Sequence, residues 1–218
     1  MFGFYGGPVA TRRVKQPRAL RTRESIVQAA AQVFDELGYS GSSIAKIVER
    51  CGTTPGAVYF HFKSKEALAD AVMEAQSRTI LPRLESQRLQ RVVDATIVWA
   101  HQLQSDPLLR AGVRLTSERG TYQAHVGSPY ESWVSILGDD LEEAQRAGEL
   151  QPGVEPRELA EFILEACTGM QMYAAATTRR SDLPVLVERM WRYLLPGVAV
   201  PAMITQVLTQ STWTLEPR

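Results

Sequence analysis

The sequence predicts an all-α fold: a three-helix, helix-turn-helix head followed by a larger helical body. Three observations carry this. No stretch of the 218 residues alternates apolar and polar with period two, so strands have no signal. Apolar residues recur instead at spacings of three and four, between helix start and stop signals. Cys51-Gly52-Thr53 is a turn of about three residues between two short helices, which is helix-turn-helix spacing.

Residues 1–17 combine Gly-Gly-Pro with Thr-Arg-Arg-Val-Lys-Gln-Pro and show no periodicity, so they are expected to form a flexible basic arm. From Arg18 order begins. Ile26, Ala29, Ala30, Val33, Phe34 and Leu37 form one stripe of a first helix, which Gly38 closes. Ser42 or Ser43 caps a second helix bearing Ile44, Ile47 and Val48. Gly52 permits the sharp turn, and Pro55 sets the first-turn φ of a third helix. The helix-turn-helix domain is thus placed at 18–65 and the body at 66–218.

Ser64 caps the next helix, through Leu68, Ala71, Val72 and Ala75, and Pro82 kinks or ends it near Leu81. Asp106-Pro107 starts another segment. Ser128-Pro129-Tyr130-Glu131 reads as a capping box opening a helix toward Gly148. Pro156 opens an apolar helix through Leu159, Phe162, Ile163, Cys167, Met170 and Tyr173, and Asp182 starts a last one through Leu186, Met190 and Leu194.

Net charge is zero but unevenly distributed. Residues 1–65 hold ten Lys/Arg against four Asp/Glu, a net of +6, and the remainder carries −6. A basic head on an acidic body points to nucleic-acid binding at one end. The two cysteines lie in apolar helical patterns without ligand spacing, so buried free thiols are expected. No apolar run approaches the roughly 20 residues needed to span a bilayer, and the opening residues lack signal-peptide order, which points to a cytoplasmic protein with no membrane partner.

The third helix has a short, small-residue face. Thr54, Pro55, Gly56 and Ala57 let the backbone approach base edges, while Tyr59, His61, Lys63 and Lys65 reach for phosphates. A second reading makes Tyr59, Phe60 and Phe62 core aromatics and the lysines merely solvating.

Residues 18–76, above all Gly52 to Leu68, resemble the DNA-binding head of the tetracycline-repressor (TetR) family. The family's Gly-x-x-x-Gly-x-hydrophobic-Tyr-x-His-Phe-x-x-Lys pattern is met by Gly52, Gly56, Val58, Tyr59, His61, Phe62 and Lys65. The resemblance implies that Thr54 to Ala57 and Phe60 face the bases and that Ser43, Tyr59, His61 and Lys65 hold phosphates of a double-stranded DNA operator. It also implies a body for ligand binding and dimerisation, with a homodimer reading a pseudo-palindrome. The dimer would use helices near 156–178 and 183–195. Arg12, Arg13, Lys15, Arg18, Arg21 and Arg23 either track the DNA backbone or are simply solvated.

In the body, Val72 to Thr79, Asp106 to Leu115 and Tyr130 to Trp133 are similar to the γ-butyrolactone receptors of antibiotic-producing actinomycetes. That implies a repressor of secondary-metabolite genes, released by a small apolar signal of lactone, butenolide or furan type, with Trp133 in the pocket. Val72, Val113, Ile136, Leu137 and Ile163 can supply apolar walls, and Thr168 and Gln171 hydrogen-bond donors. Read from the residues alone, a core side chain is the usual explanation of Trp133. Likewise Glu165, Thr168 and Gln171, at i, i+3 and i+6, suit a pocket or a dimer interface.

His61, His101 and His125 share no metal-ligand spacing, and no nucleophile elbow, phosphate-binding loop or dinucleotide fingerprint is present. Neither an enzyme nor a cofactor is therefore expected. Two other functions fit the same residues: a TetR-type sensor of an antibiotic or other apolar compound, and a helical DNA-binding protein controlled by a protein partner.

Overall fold

The computed structural model describes residues 15–75, 84–118 and 129–207, and these are helical with no strand among them apart from one isolated antiparallel bridge, Leu150 to Ala199. Helix α1 (Lys15–Gly41) starts three residues before Arg18 and buries Ile26, Ala29, Ala30, Val33 and Phe34. Gly38 breaks its path at φ 69°, ψ −179°, a conformation that L side chains rarely adopt. The break swings Tyr39 back so that its ring stacks on Phe34, 6.2 Å between centroids. Tyr39 therefore closes this end of the core, and Leu37, expected in the stripe, stays 40% exposed.

Local capping sets the next three helices. Ser43 Oγ accepts from Lys46 N at the start of α2 (Ile44–Cys51), and Gly52 ends α2 in the left-handed region at φ 65°. Ser42 instead donates to Tyr39 O. Thr54 Oγ1 accepts from Ala57 N ahead of α3 (Pro55–His61), and Ser64 Oγ accepts from Ala67 N ahead of α4 (Lys65–Ala75). The expectations for residues 1–14, Leu81, Pro82 and Ser128 lie outside the described residues.

Helix α5 (Arg88–Ser105) was not expected from the sequence, although Leu89, Val92, Val93, Thr96, Ile97 and Ala100 form a buried stripe along it. Asp106 then accepts from Leu108 N and starts α6 (Pro107–Ser117). Helices α7 (Pro129–Arg146), α8 (Pro156–Thr177), α9 (Leu183–Val198) and α10 (Pro201–Ile204) complete the described chain.

Two apolar cores result. The body core joins Leu89, Val93 and Ile97 of α5, Leu141 of α7, Ile163 and Cys167 of α8, and Val187, Trp191 and Leu195 of α9. The head core joins Ile26, Phe34, Ile47, Val58 and Phe62 to residues on the far side of position 65. These are Leu68, Val72 and Met73 of α4 and Leu108, Ala111 and Leu115 of α6. The last three, at i, i+3 and i+7, form one face of α6. Cys167 is a buried free thiol, whereas Cys51 is only half-buried, with Sγ 3.5 Å from Ser25 Oγ.

Candidate functional site

The exposed face of α3 carries Thr54, Pro55 and Gly56 on the surface, with Ala57 half-buried. Tyr59 is 53% exposed and Phe60 80%, so neither is a core aromatic, while Phe62 is buried. Half-buried His61 meets Phe60 edge-on, 5.1 Å between ring centroids. Val58 and Phe62 anchor the helix from below, and the Arg23 guanidinium lies 4.9 Å from the Phe62 ring centroid.

Lys65 and Ser43 have structural work beside this face. Lys65 Nζ donates to Tyr39 O at 2.8 Å and to Ser42 O at 3.1 Å, and sits 4.0 Å from the Tyr39 ring centroid. Two of its three hydrogens thus hold the turn between α1 and α2. Tyr39 OH in turn donates to Glu66 Oε1 at 2.6 Å, and with the backbone and Ser64 bonds this holds the Glu66 carboxyl down at about 2. Sequence reasoning gave Tyr39 no role. Its signal was a lone aromatic directly after a helix-ending glycine.

Between α5, α6, α7 and α8 lies an apolar cavity enclosing about 660 Å³ of atom-free space including its open mouth. Its lining includes Val113, Trp133, Leu137, Ile163, Thr168 and Gln171, all named from the sequence. Val72 and Ile136 are not on it. Val72 is fully buried in the head core, and Ile136 lies off the face that Trp133 and Leu137 share by their four-residue spacing. Glu165 is exposed, so the polar series on α8 splits and only Thr168 and Gln171 turn inward.

Sequence reasoning missed Ala95, Thr96 and Trp99, which α5 brings to the wall, and also Thr116, Tyr130, Leu164 and Cys167. Burial pushes the Cys167 thiol up to about 12. The threonine hydroxyls bond locally: Thr168 donates to Leu164 O, Thr116 to Gly112 O and Thr96 to Val93 O. Thr96 Oγ1 also accepts from the buried Trp191 Nε1 at 2.7 Å. Gln171 is 4% exposed, and its Oε1 has no hydrogen-bond partner.

Helix α6 connects cavity to head. Val113 and Thr116 face the cavity, while Arg110 Nη2 meets Asp35 Oδ2 at 2.7 Å and Arg114 Nη1 donates to Asp35 O at 2.7 Å. Arg114 Nε also donates to Glu118 Oε1 at 2.9 Å, and Glu118 Oε2 accepts from Tyr39 N at 2.7 Å. The turn at Gly38 is thereby clamped from the body side. On the far side of the body, α8 exposes Phe162, Met172 and Tyr173, and α9 exposes Val185 and Tyr193.

Among the described residues no group of three or more His, Cys, Asp or Glu side chains is placed to hold a metal, and no helix is long and apolar enough to cross a membrane.

Comparison with known proteins matches residues 26–72 to the family described as bacterial regulatory proteins, tetR family, and residues 85–189 to the tetracyclin repressor-like C-terminal domain. The chain is 40% identical to the A-factor receptor protein of Streptomyces griseus over 195 residues, 88% of this chain and 69% of that protein. Among solved structures it resembles full-length native TylP, a TetR regulator from Streptomyces fradiae, at TM-score 0.80 and 40% identity, covering 88% of this chain and 93% of that one. A γ-butyrolactone receptor described as ArpA-like is similar at TM-score 0.69 and 30% identity, over 88% of this chain and 95% of that one. These relatives are regulators of transcription and receptors rather than enzymes.

Proposed function

This chain belongs to the TetR family of bacterial regulatory proteins, and from that premise we propose that it is a repressor that a small γ-butyrolactone-type signal, whether lactone, butenolide or furan, releases from a pseudo-palindromic operator. The observation that carries the reading is the position of α6. One of its faces lines the apolar cavity and another completes the head core, so a ligand that fits only one setting of α6 changes the seat of α1 and, through it, α3.

On the DNA side, Thr54, Pro55, Gly56, Ala57 and Phe60 approach base edges, and Ser43, Tyr59, His61 and Lys65 meet phosphates. The exposed apolar faces of α8 and α9 form the homodimer interface that sets the spacing of the two recognition helices. A ligand that swings the dimer from 99% to 1% DNA-competent needs about 5.5 kcal/mol of differential affinity. A DNA target suits a cytoplasmic protein, and similarity at 33% identity to a protein described by its control of antibiotic production by a bacterial hormone supports control of antibiotic-biosynthesis genes.

The test is fluorescence anisotropy of promoter DNA over a salt series, followed by titration with γ-butyrolactones, butenolides, furans and antibiotics. A steep fall of affinity with salt and release by a lactone-type compound are the expected results. Salt-independent or absent binding sinks the repressor reading. Release by an antibiotic alone replaces the lactone reading with that of an antibiotic sensor.

A further inference from the structure

We propose that Gln104 and Arg110 are positioning residues that tie the turn joining α8 and α9 to α1, and so fix the half-site spacing that the dimer accepts on DNA. This rests on the reading of the chain as a repressor that binds its operator as a dimer.

Residues 178–182 connect α8 to α9, the two helices with exposed apolar faces. Gln104, in the last turn of α5, donates both hydrogens of its amide into this turn, to Arg180 O at 3.0 Å and Ser181 O at 2.9 Å. The backbone oxygen of Gln104 accepts from Arg110 Nη1 at 3.1 Å. The other side of that guanidinium donates to Asp35 Oδ2 on α1, from Nε at 2.9 Å and Nη2 at 2.7 Å. An unbroken chain of hydrogen bonds therefore runs from the α8–α9 turn to the head. None of Asp35, Gln104, Arg110, Arg180 and Ser181 lines the cavity.

The turn itself is held in a conformation that needs support. Arg179 and Arg180 both lie in the left-handed region, at φ 54° and 68°, which side chains with a Cβ rarely adopt. Such residues persist where their surroundings over-determine them, and they cluster at clamps and switch regions. Part-burial lowers the Arg180 pKa below the usual arginine range; Asp35 opposes that shift and Arg110 adds to it. The Asp35 carboxylate thus attracts arginines from α6 and from the turn.

The contact of Leu108, Ala111 and Leu115 with the head core is apolar and therefore non-directional. Hydrogen bonds are directional, so the Gln104–Arg110 chain supplies the orientation that apolar packing leaves open. That orientation matters on DNA. One base pair added between half-sites shifts them by about 3.4 Å and rotates them by about 35°, so a dimer that rejects the wrong spacing must hold its heads within those limits.

The experiment uses the full-length protein, Gln104→Met, Arg110→Met and the double variant. Gln104 is exposed, so its variant is expected to fold, and urea denaturation checks each protein. Nitroxide labels at Glu49→Cys, in a Cys51→Ser background with Cys167 buried, report the separation of the two heads without DNA. The distribution is expected to widen by more than about 3.4 Å in each variant. On the pseudo-palindrome that the wild type selects from a random library, adding or removing one central base pair should cost the wild type at least about tenfold in affinity and each variant less than about threefold. The double variant should match either single one, because both cut the same chain.

Equal tolerance of spacing in the wild type and a folded variant, an unchanged head separation, or additive effects in the double variant overturns the proposal. If the wild type selects no DNA sequence while the head separation still widens in the variants, the repressor reading fails and the tie between turn and head stands.

Discussion

The indole of Trp191 on α9 donates to Thr96 on α5 across 2.7 Å, and Thr96 is at the same time part of the cavity wall. Trp191 is fully buried, so its N–H has no alternative in water. Thr96→Val keeps the shape and removes the acceptor, and is expected to destabilise the protein by about 1–3 kcal/mol in urea denaturation. Thr96→Ser should recover most of the loss. Equal stability of the wild type and the valine variant would show that the bond contributes nothing.

Gly38 combines a left-handed backbone with a crowded surface. A Cβ there would sit 2.7 Å from Arg114 Nη2 and 2.7 Å from Glu118 Oε1. Gly38→Ala should therefore cost about 1 kcal/mol or more from backbone conformation, and also push the Arg114–Glu118 clamp off Tyr39. Thermal denaturation measures the first effect. The second appears as a smaller ratio between DNA affinities measured with and without ligand.

Lys65 and Tyr59 should separate when mutated. Tyr59 is exposed on α3, so Tyr59→Ala should weaken DNA binding at all sequences and leave the melting temperature within a degree or two. Lys65→Ala also removes two bonds to the α1–α2 turn, and should lower both DNA affinity and stability. Anisotropy and calorimetry on the same preparations distinguish them.

Glu66 gives acid sensitivity to the head. Its folded pKa, about 2, lies below the ordinary 4.5, so its contribution is fully present above 4.5 and is lost as pH falls toward 2. Glu66→Gln should be less stable than wild type at pH 7, with the gap narrowing through that window. A gap independent of pH would assign the Tyr39 contact no electrostatic content.

Cys167 should resist iodoacetamide in the native protein at neutral pH, because the reactive species is the thiolate and burial pushes its pKa up to about 12. Half-buried Cys51 should be the modified residue. Peptide mapping by mass spectrometry decides between them.

What the sequence made legible was local. Ser43, Ser64 and Asp106 all cap the helices that follow them, because a side-chain oxygen and a backbone N–H two or three residues apart need no tertiary partner. On α8 the apolar series contains Leu159, Ile163 and Cys167, which are buried, but also Phe162 and Tyr173, which are exposed. Helix α5 escaped because Gln87 makes no side-chain cap and no Pro or Gly announces it, although its apolar stripe is complete. Val72 was recognisable as buried, but which of two cores it entered depends on where α6 lands. Lys65 looked like a free cation for the same reason: the carbonyls it holds lie 23 and 26 residues earlier in the chain.

The head is not a portable module. Residues 18–65 bring only part of their own interior, and Leu108, Ala111 and Leu115 arrive from a helix that starts 42 residues downstream of position 65. Grafting this head onto a relative's body, to redirect a sensor to a new operator, means transplanting that face of α6 and the Asp35, Arg110 and Arg114 contacts with it. A chimera joined at position 65 alone would place one protein's α1 on another's α6, and would be expected to lose the response to ligand before it lost its fold.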